Sequence, residues 1–349
     1  CDRIAVGPWE TFRRYSQAVE AVRLRARGVY FEQVDGRRFT VAGHTDFRLL
    51  ERVLRGEDIE PVVAERAQLG INTLRVLFMC DQMFRLRPRD YSPGDFEQAC
   101  LHLSRLLGRY GQQLEAVAFA DATRVMPALR DQLDFWALLG NIYRDEPNIL
   151  PSLVNENDQR INHLDADAFR PLPGLLCSHG SNGSGPVPAM PPWSDVPIVS
   201  LPVRAPWDWE AGPHTNDNHE WQRKAGHNAM EFAEGDREGH VRASRRPAWS
   251  DESHRTDKPG ATPARYKGSA AAAALLCAGS LIHTPEGKDS RLLEGHSLAC
   301  VQAFVEGMQS IPLEAQGLPY HHRKDLETPE WLRVYQRGDD ERAIAWVPA

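Results

Sequence analysis

The sequence predicts an α/β fold, a (β/α)8 TIM barrel with small β additions at both ends, and three observations carry that expectation. The chain has 349 residues, enough for one large barrel. Stretches with helical spacing alternate with short apolar runs along most of it. Eight such runs fall within roughly 250 residues, which favours a closed barrel over the alternative, an open doubly wound sheet.

The elements follow in order. Val29 to Gln33 and Phe39 to Ala42 are rich in β-branched and aromatic residues and flank the turn Asp35-Gly36-Arg37-Arg38, an entrance hairpin. Counting from Thr40, the first barrel strand overlaps its second arm. Arg48 to Leu54 and Ile59 to Leu69 have helical spacing, and Thr73 to Met79 is a buried strand bounded by Gly70 and Asp81. Phe96 to Leu107 repeats apolar residues at three and four, Gly108 to Gly111 breaks the pattern, and Leu114 to Phe119 is the third strand. Val125 to Tyr143 is an amphipathic helix that Asp145-Glu146-Pro147-Asn148 stops, and Ile149 to Val154 is the fourth strand. Gly174 to Ser178, Val196 to Leu201, Arg246 to Ser250 and Ala278 to His283 supply the remaining four.

The expected organisation is an N-terminal extension over 1–28, a barrel with its entrance hairpin over 29–309, and a C-terminal β-hairpin packing on the barrel over 310–349. In that hairpin, Trp331 to Tyr335 and Ala343 to Val347 are separated by Gly338-Asp339-Asp340. Ser178 to Trp193 and Arg204 to Trp221 have no clear period and read as long loops, which in a compact barrel usually serve function.

Composition narrows the classes of function. An apolar share of 42% with 26% charged residues is that of a globular protein. A net charge of −7 opposes nucleic-acid binding, which requires surplus Lys and Arg against phosphate. The longest apolar run, Ala270 to Ile282, is about 13 residues, short of a membrane span, so no membrane insertion is expected. Six scattered cysteines without a CxxC pair point to a reducing compartment or a virion over a disulfide-rich secreted setting. The start at Cys1, with no charged-then-apolar leader, is consistent with a truncated or processed N-terminus.

In a (β/α)8 barrel, catalytic side chains come from the C-terminal ends of strands. Glu156 follows the fourth strand, and Glu252 follows the seventh. An acidic residue after an apolar run is also an ordinary solvated strand end or helix first turn, so neither glutamate is diagnostic alone.

Together these segments resemble the clan A glycoside hydrolases, retaining enzymes whose acid/base follows an Asn after strand four and whose nucleophile ends strand seven. Asn155-Glu156 matches the first motif and Glu252 the second. Gly70-Ile71-Asn72-Thr73-Leu74-Arg75 resembles the second-strand segment, where an Arg pairs with the nucleophile, and Asp35-Gly36 before Gly43 resembles the barrel entrance. The resemblance covers about Tyr30 to Gln309. Two positions depart from it: Asn157 stands where a Pro commonly follows the acid/base, and Glu252 lies inside Asp251-Glu252-Ser253-His254.

The resemblance implies cleavage of β-glycosidic bonds in an oligo- or polysaccharide, without cofactor, by two carboxyl groups about 5 to 5.5 Å apart. Glu252 is then the ionised nucleophile, favoured by the charge of Arg75. Glu156 is the proton donor, with a pKa raised by neighbouring negative charge and partial burial. Asn155 hydrogen-bonds the sugar 2-hydroxyl. His179 and His214 are candidate ligands for sugar hydroxyls, and Trp207 and Trp209 candidate stacking platforms, as are Trp193, Trp221 and Trp249; a lone His is more often a surface or cap residue, the Trp residues also suit core and loop anchoring, and Trp249 beside the nucleophile strand suits packing better.

Asp46, Asp81, Asp121 and Asp251 also fall near strand ends, yet no metal-ligand spacing is persuasive and no metal is assigned. No Gly-x-Ser-x-Gly elbow and no phosphate loop are present, which disfavours esterases and nucleotide enzymes. The expected partner is carbohydrate. The alternative function is a noncatalytic barrel, carbohydrate-binding or structural, with partner proteins in a larger assembly such as a viral particle.

Overall fold

The computed structural model describes residues 22–27, 30–157, 160–180, 198–199, 247, 249–257, 261–276, 279–311, 320–322, 333–337 and 343–346. Side chains at 198–199, 250–254, 265, 269, 272, 275–276 and from 320 onward lie outside the described residues.

Eight parallel strands form one sheet: β4 (Val41–Thr45), β5 (Thr73–Leu77), β6 (Gln113–Phe119), β7 (Ile149–Val154), β8 (Ser178–Gly180), β9 (Ile198–Val199), β10 (Trp249–Arg255) and β11 (Gly279–His283). Their order is β8-β7-β6-β5-β4-β11-β10-β9, and every pairing within the sheet is parallel. β8 and β9 are its two ends, and no hydrogen-bonded register joins them among the described residues. Before the sheet, β1 (Leu24–Arg27), β2 (Tyr30–Gln33) and β3 (Arg38–Phe39) make an antiparallel three-stranded ribbon. After it, β12 (Tyr320–His322), β13 (Arg333–Arg337) and β14 (Ala343–Trp346) make another.

Helices occupy the intervals with apolar periodicity. α1 (Leu49–Leu54) and α2 (Glu60–Gln68) follow β4, and α3 (Pro93–Arg109) follows β5. Ser92 caps α3 by accepting from the Asp95 N–H at 3.1 Å, and Pro93 occupies the first turn, where its missing N–H costs nothing. The helix expected over Val125 to Tyr143 starts later: α4 (Ala122–Val125) is a separate short helix, and α5 (Leu129–Tyr143) begins only after Pro127, which cannot donate within a helix. α6 (Pro263–Leu276), α7 (Pro285–Asp289) and α8 (Gly295–Gln309) are the remaining α-helices among the described residues.

The sheet curls, and a small apolar cluster shows how. Leu150 of β7, Trp249 of β10, Val41 of β4 and Leu281 of β11 share one buried cluster with Leu24, Phe31 and Phe39 of the N-terminal ribbon. β7 and β10 are five positions apart in strand order, which in a flat sheet is about 24 Å. Their side chains reach one cluster only because the sheet bends around it, with the ribbon as a floor and Phe31 against Trp249 at 5.6 Å between ring centroids. The opposite face, carrying Leu74, Val76, Leu114, Ala116 and Leu153, packs in the larger core with the helices.

Three of the boundaries that differ from the sequence expectation have a plain physical reason. β1 lies inside the segment assigned to an N-terminal extension; only Leu24 of its four residues is buried, too little for a periodic signal. The fifth parallel strand is Ser178–Gly180 instead of Gly174 to Ser178, because Leu172 to Leu175 forms a turn, with Leu175 N–H bonded to Leu172 O at 3.1 Å. The seventh, expected to end at Ser250, continues to Arg255.

Gly279 enters β11 at φ +142, where a Cβ would stand 2.1 Å from the Val41 carbonyl oxygen. Strand backbone cannot yield there without breaking the β4–β11 ladder. Gly279→Ala should therefore lower unfolding free energy by about 2–4 kcal/mol. Urea denaturation checks this, and a change within about 0.5 kcal/mol would contradict the close approach.

Candidate active site

All eight strands run the same way, so their C-terminal ends share one rim. Glu156 follows β7, the fourth parallel strand along the chain, and Glu252 lies in β10, the seventh. Both are on the C-terminal side of the floor, six residues beyond Leu150 and three beyond Trp249.

Asn155 is 6% exposed, and its N–H donates to the Phe119 carbonyl at 2.8 Å, carrying the β6–β7 pairing one residue past the strand. Glu156 then leaves the sheet at φ +50, a left-handed conformation that costs a non-glycine residue about 1–3 kcal/mol and recurs at functional sites. Its side chain is half-buried. Asn157 starts a turn that its own carboxamide closes, with Oδ1 accepting from the Leu164 N–H at 2.8 Å.

β10 is irregular around Glu252. Ser250 is in register with Ser280 and His254 with Ile282, so Asp251, Glu252 and Ser253 face a single β11 residue, Leu281. This is a bulge, a device that re-aims side chains beside active sites. Glu252 is therefore within its strand, not after it as the sequence suggested. The bulge lets the strand continue through polar residues, with its end held by Tyr266 Oη donating to the Arg255 carbonyl at 2.6 Å. The side chain of Glu252 lies outside the described residues.

Beneath Asn155 is a charged layer. Thr45, Arg75, Glu115 and Leu150 align across β4, β5, β6 and β7, and Leu150 belongs to the floor cluster, so Arg75 and Glu115 share the concave face. Arg75 is 1% exposed and Glu115 fully buried. Arg75 Nε lies 3.6 Å from Glu115 Oε1, its Nη2 donates to Asn155 Oδ1 at 2.7 Å, and its guanidinium carbon stands 5.9 Å from the centre of the Phe47 ring. Arg75 thus meets Asn155 directly, while Glu115 is a residue the sequence reading passed over. Its signal was a lone charge in the otherwise apolar run Leu114 to Phe119.

Other expected residues fall elsewhere. His179 is in β8 but 2% exposed, one step along the pleat from Ser178, which aligns with Ser152 on the concave face. Burial pushes its imidazole down to about 4, so it is neutral near pH 7. Trp249 is floor packing. His214, Trp207 and Trp209, with Trp193 and Trp221, lie outside the described residues.

Three strand-end carboxylates have structural partners. Asp46 meets Arg66 Nη2 at 3.0 Å and His44 Nδ1 at 2.7 Å. Burial raises the Asp46 carboxyl, but the Arg66 charge and then His44 together outweigh it and hold it below its ordinary value. Asp81 pairs with Arg87 at 2.8 Å and Arg124 at 2.9 Å. Asp121 accepts from the N–H groups of Asp81 at 2.7 Å and Gln82 at 2.6 Å, tying the loop after β5 to the end of β6. The side chain of Asp251 lies outside the described residues. Among the described residues no group of three His, Cys, Asp or Glu could hold a metal ion, and no helix is long and apolar enough to cross a membrane.

No protein-family model and no curated protein matches the chain. Solved structures do. A Bacteroides vulgatus protein assigned as a glycoside hydrolase superposes with TM-score 0.62 at 12% identity, covering 92% of this chain and 66% of that one. A glycoside hydrolase family 5 protein from the same organism gives TM-score 0.58 at 14% identity, over 95% of this chain and 79% of that one. An exo-β-1,4-mannosidase of Opitutaceae bacterium strain TAV5 gives 0.52 at 15%, over 81% and 61%. The chain thus spans slightly under two thirds of the first and third of these proteins. It has the fold of glycoside hydrolase structures, family 5 of clan A among them.

Buried neutral His179 makes stability depend on pH with a definite sign. Its folded-state value, about 4, lies below the ordinary histidine value of 6.5, so the unfolded chain binds the extra proton first. The contribution is complete above the ordinary value and is lost as pH falls toward 4, about 3 kcal/mol in all. The difference in unfolding free energy between the wild type and His179→Gln should shrink over that interval. A difference that stays constant with pH would show that His179 is not held neutral.

Proposed function

We propose that the eight-stranded sheet closes as a (β/α)8 barrel and that the protein is a retaining glycoside hydrolase cleaving β-glycosidic bonds in an oligo- or polysaccharide. The observation that carries this reading is Asn155-Glu156 at the exit of β7, its amide bonded to a buried Arg75, on the same rim as the bulged β10 segment containing Glu252. The fold likeness to glycoside hydrolases, including a β-1,4-mannosidase, supports the substrate class.

The reaction runs as a double displacement. The ionised Glu252 carboxylate attacks the anomeric carbon while Glu156 gives its proton to the departing glycosidic oxygen. The carbon–oxygen bond breaks, and a glycosyl ester on Glu252 forms. Glu156, now a carboxylate, takes a proton from water as that water attacks the same carbon, releasing Glu252 and a sugar of unchanged anomeric configuration. Arg75 supplies positive charge below the rim, which favours ionised carboxylate above it. Asn155 donates to a sugar hydroxyl, a bond that strengthens as charge develops on the ring.

A panel of aryl β-glycosides tests this. The wild type should turn over at least one member with retention, seen by NMR of the first-formed product. Glu156→Gln should lose about 10²–10⁴-fold with poor leaving groups and much less with dinitrophenyl leaving groups, which need no proton. Glu252→Gln should lose activity on both. The proposal fails if no glycoside is turned over, or if Glu252→Gln stays as fast as the wild type.

A further inference from the structure

The buried pair Arg75–Glu115 is not explained by the two-carboxylate reaction, which asks only for positive charge near the nucleophile. Glu115 stands beside Arg75 in the strand register, on the concave face, in line with Leu150 of the apolar floor. A charge there has no bulk water to solvate it, and an opposite charge beside it offsets part of that cost. The contact also sets geometry. With its Nε side at 3.6 Å from Glu115 Oε1, the guanidinium plane points Nη2 at Asn155, 2.7 Å from Oδ1.

A guanidinium only donates, so the carboxamide must turn its oxygen down toward Arg75. Its Nδ2 group is then directed away from that contact and can only donate. The Asn155 backbone cannot rotate to undo this, because its N–H is bonded to Phe119 O at 2.8 Å. The amide orientation is thereby chosen two residues away, by the carboxylate on β6.

From this we infer that Glu115 is a positioning residue: through Arg75 it fixes the Asn155 amide with its donors toward bound ligand, and it balances the guanidinium charge beneath the rim. The ligand group so recognised is an acceptor oxygen, as on a sugar hydroxyl. The inference rests on the glycosidase reading for its ligand, but the relay itself does not depend on turnover.

The test uses the full chain with asparagine labelled with 15N, the Asn155 side-chain resonances being assigned from their loss in Asn155→Asp. Glu115→Gln keeps the shape and removes the charge, and Glu115→Asp keeps the charge and withdraws it by one methylene. Either should move or broaden the Asn155 NH2 signals while other asparagines stay in place. With an active glycoside, Glu115→Gln should lower kcat/KM by about 10- to 100-fold. The acid limb of its pH profile should move to lower pH, because removing the Glu115 charge lets Arg75 hold neighbouring carboxylates ionised more strongly. Added to Asn155→Ala, the same change should cost little more.

A merely structural Glu115 would lower Tm, leave the acid limb in place and add its full loss to that of Asn155→Ala. That result, or unmoved Asn155 signals in both Glu115 variants, overturns the inference. Moved signals in a protein that cleaves no glycoside uphold the relay and reject the glycosidase reading instead. Glu115→Asp carries the NMR test alone if Glu115→Gln does not fold.

Discussion

Leu150 and Trp249 come from strands that a flat sheet would hold about 24 Å apart, yet they share one apolar cluster with Phe31 and Phe39. Full burial of each such side chain is worth roughly 1.5–3 kcal/mol, and that gain exists only if the sheet bends around the ribbon. The curl is thus fixed at the floor, far from any chemistry. Because the strands are parallel, bending them at one end brings their C-terminal exits toward a common axis. The residues on those exits, Asn155-Glu156 on β7 and the bulged Asp251-Glu252-Ser253 on β10, inherit their relation from Leu150 and Trp249.

The buried charges that continue the row of Leu150 across β6 and β5 are where the physical chemistry is least forgiving. Arg75 and Glu115 are nearly inaccessible to water, and a lone ion in such a place costs several kcal/mol. Placing both signs on adjacent strands in register offsets part of that cost and leaves Arg75 Nη2 donating to Asn155. Replacing the pair with hydrophobic residues would serve packing equally well. What such residues would not provide is an oriented Asn155.

Much of the fold was legible because parallel strands buried on both faces are written as nearly continuous apolar runs. Thr73 to Leu77 and Ile149 to Val154 are such runs, and their flanking helices carry caps such as Ser92-Pro93. The errors have physical causes. Gly174 to Cys177 looks like a strand but starts within the turn Leu172 to Leu175, and the strand proper needs Gly180, where any Cβ would collide with the Val154 carbonyl. In β10 the polar run Asp251 to Arg255 hides a strand, because pairing satisfies the backbone whatever the side chains are. Of the candidate site, the Asn-Glu motif and Arg75 stand out in the sequence by spacing and resemblance. Glu115 was visible only as a charge breaking an apolar run, and its meaning required knowing that β5 and β6 are neighbours in register.

The departure at Asn157 fits the same logic of local support. A proline there would fix the chain direction after Glu156 through its ring alone. Asn157 reaches a comparable end by bonding: its Oδ1 holds the Leu164 N–H, and Asn162 within the same loop accepts from the Asp121 N–H at 2.6 Å. Asp121 in turn holds the loop after β5 through Asp81 and Gln82. Three consecutive exits, those of β5, β6 and β7, are therefore laced together by side-chain to backbone hydrogen bonds. The left-handed turn at Glu156 is sustained by that lacing, since a strained φ persists only where the surrounding structure over-determines it. Glu156 is thus braced from the loop side by Asn157 and from below by Asn155 on Arg75, with no need of a proline at 157.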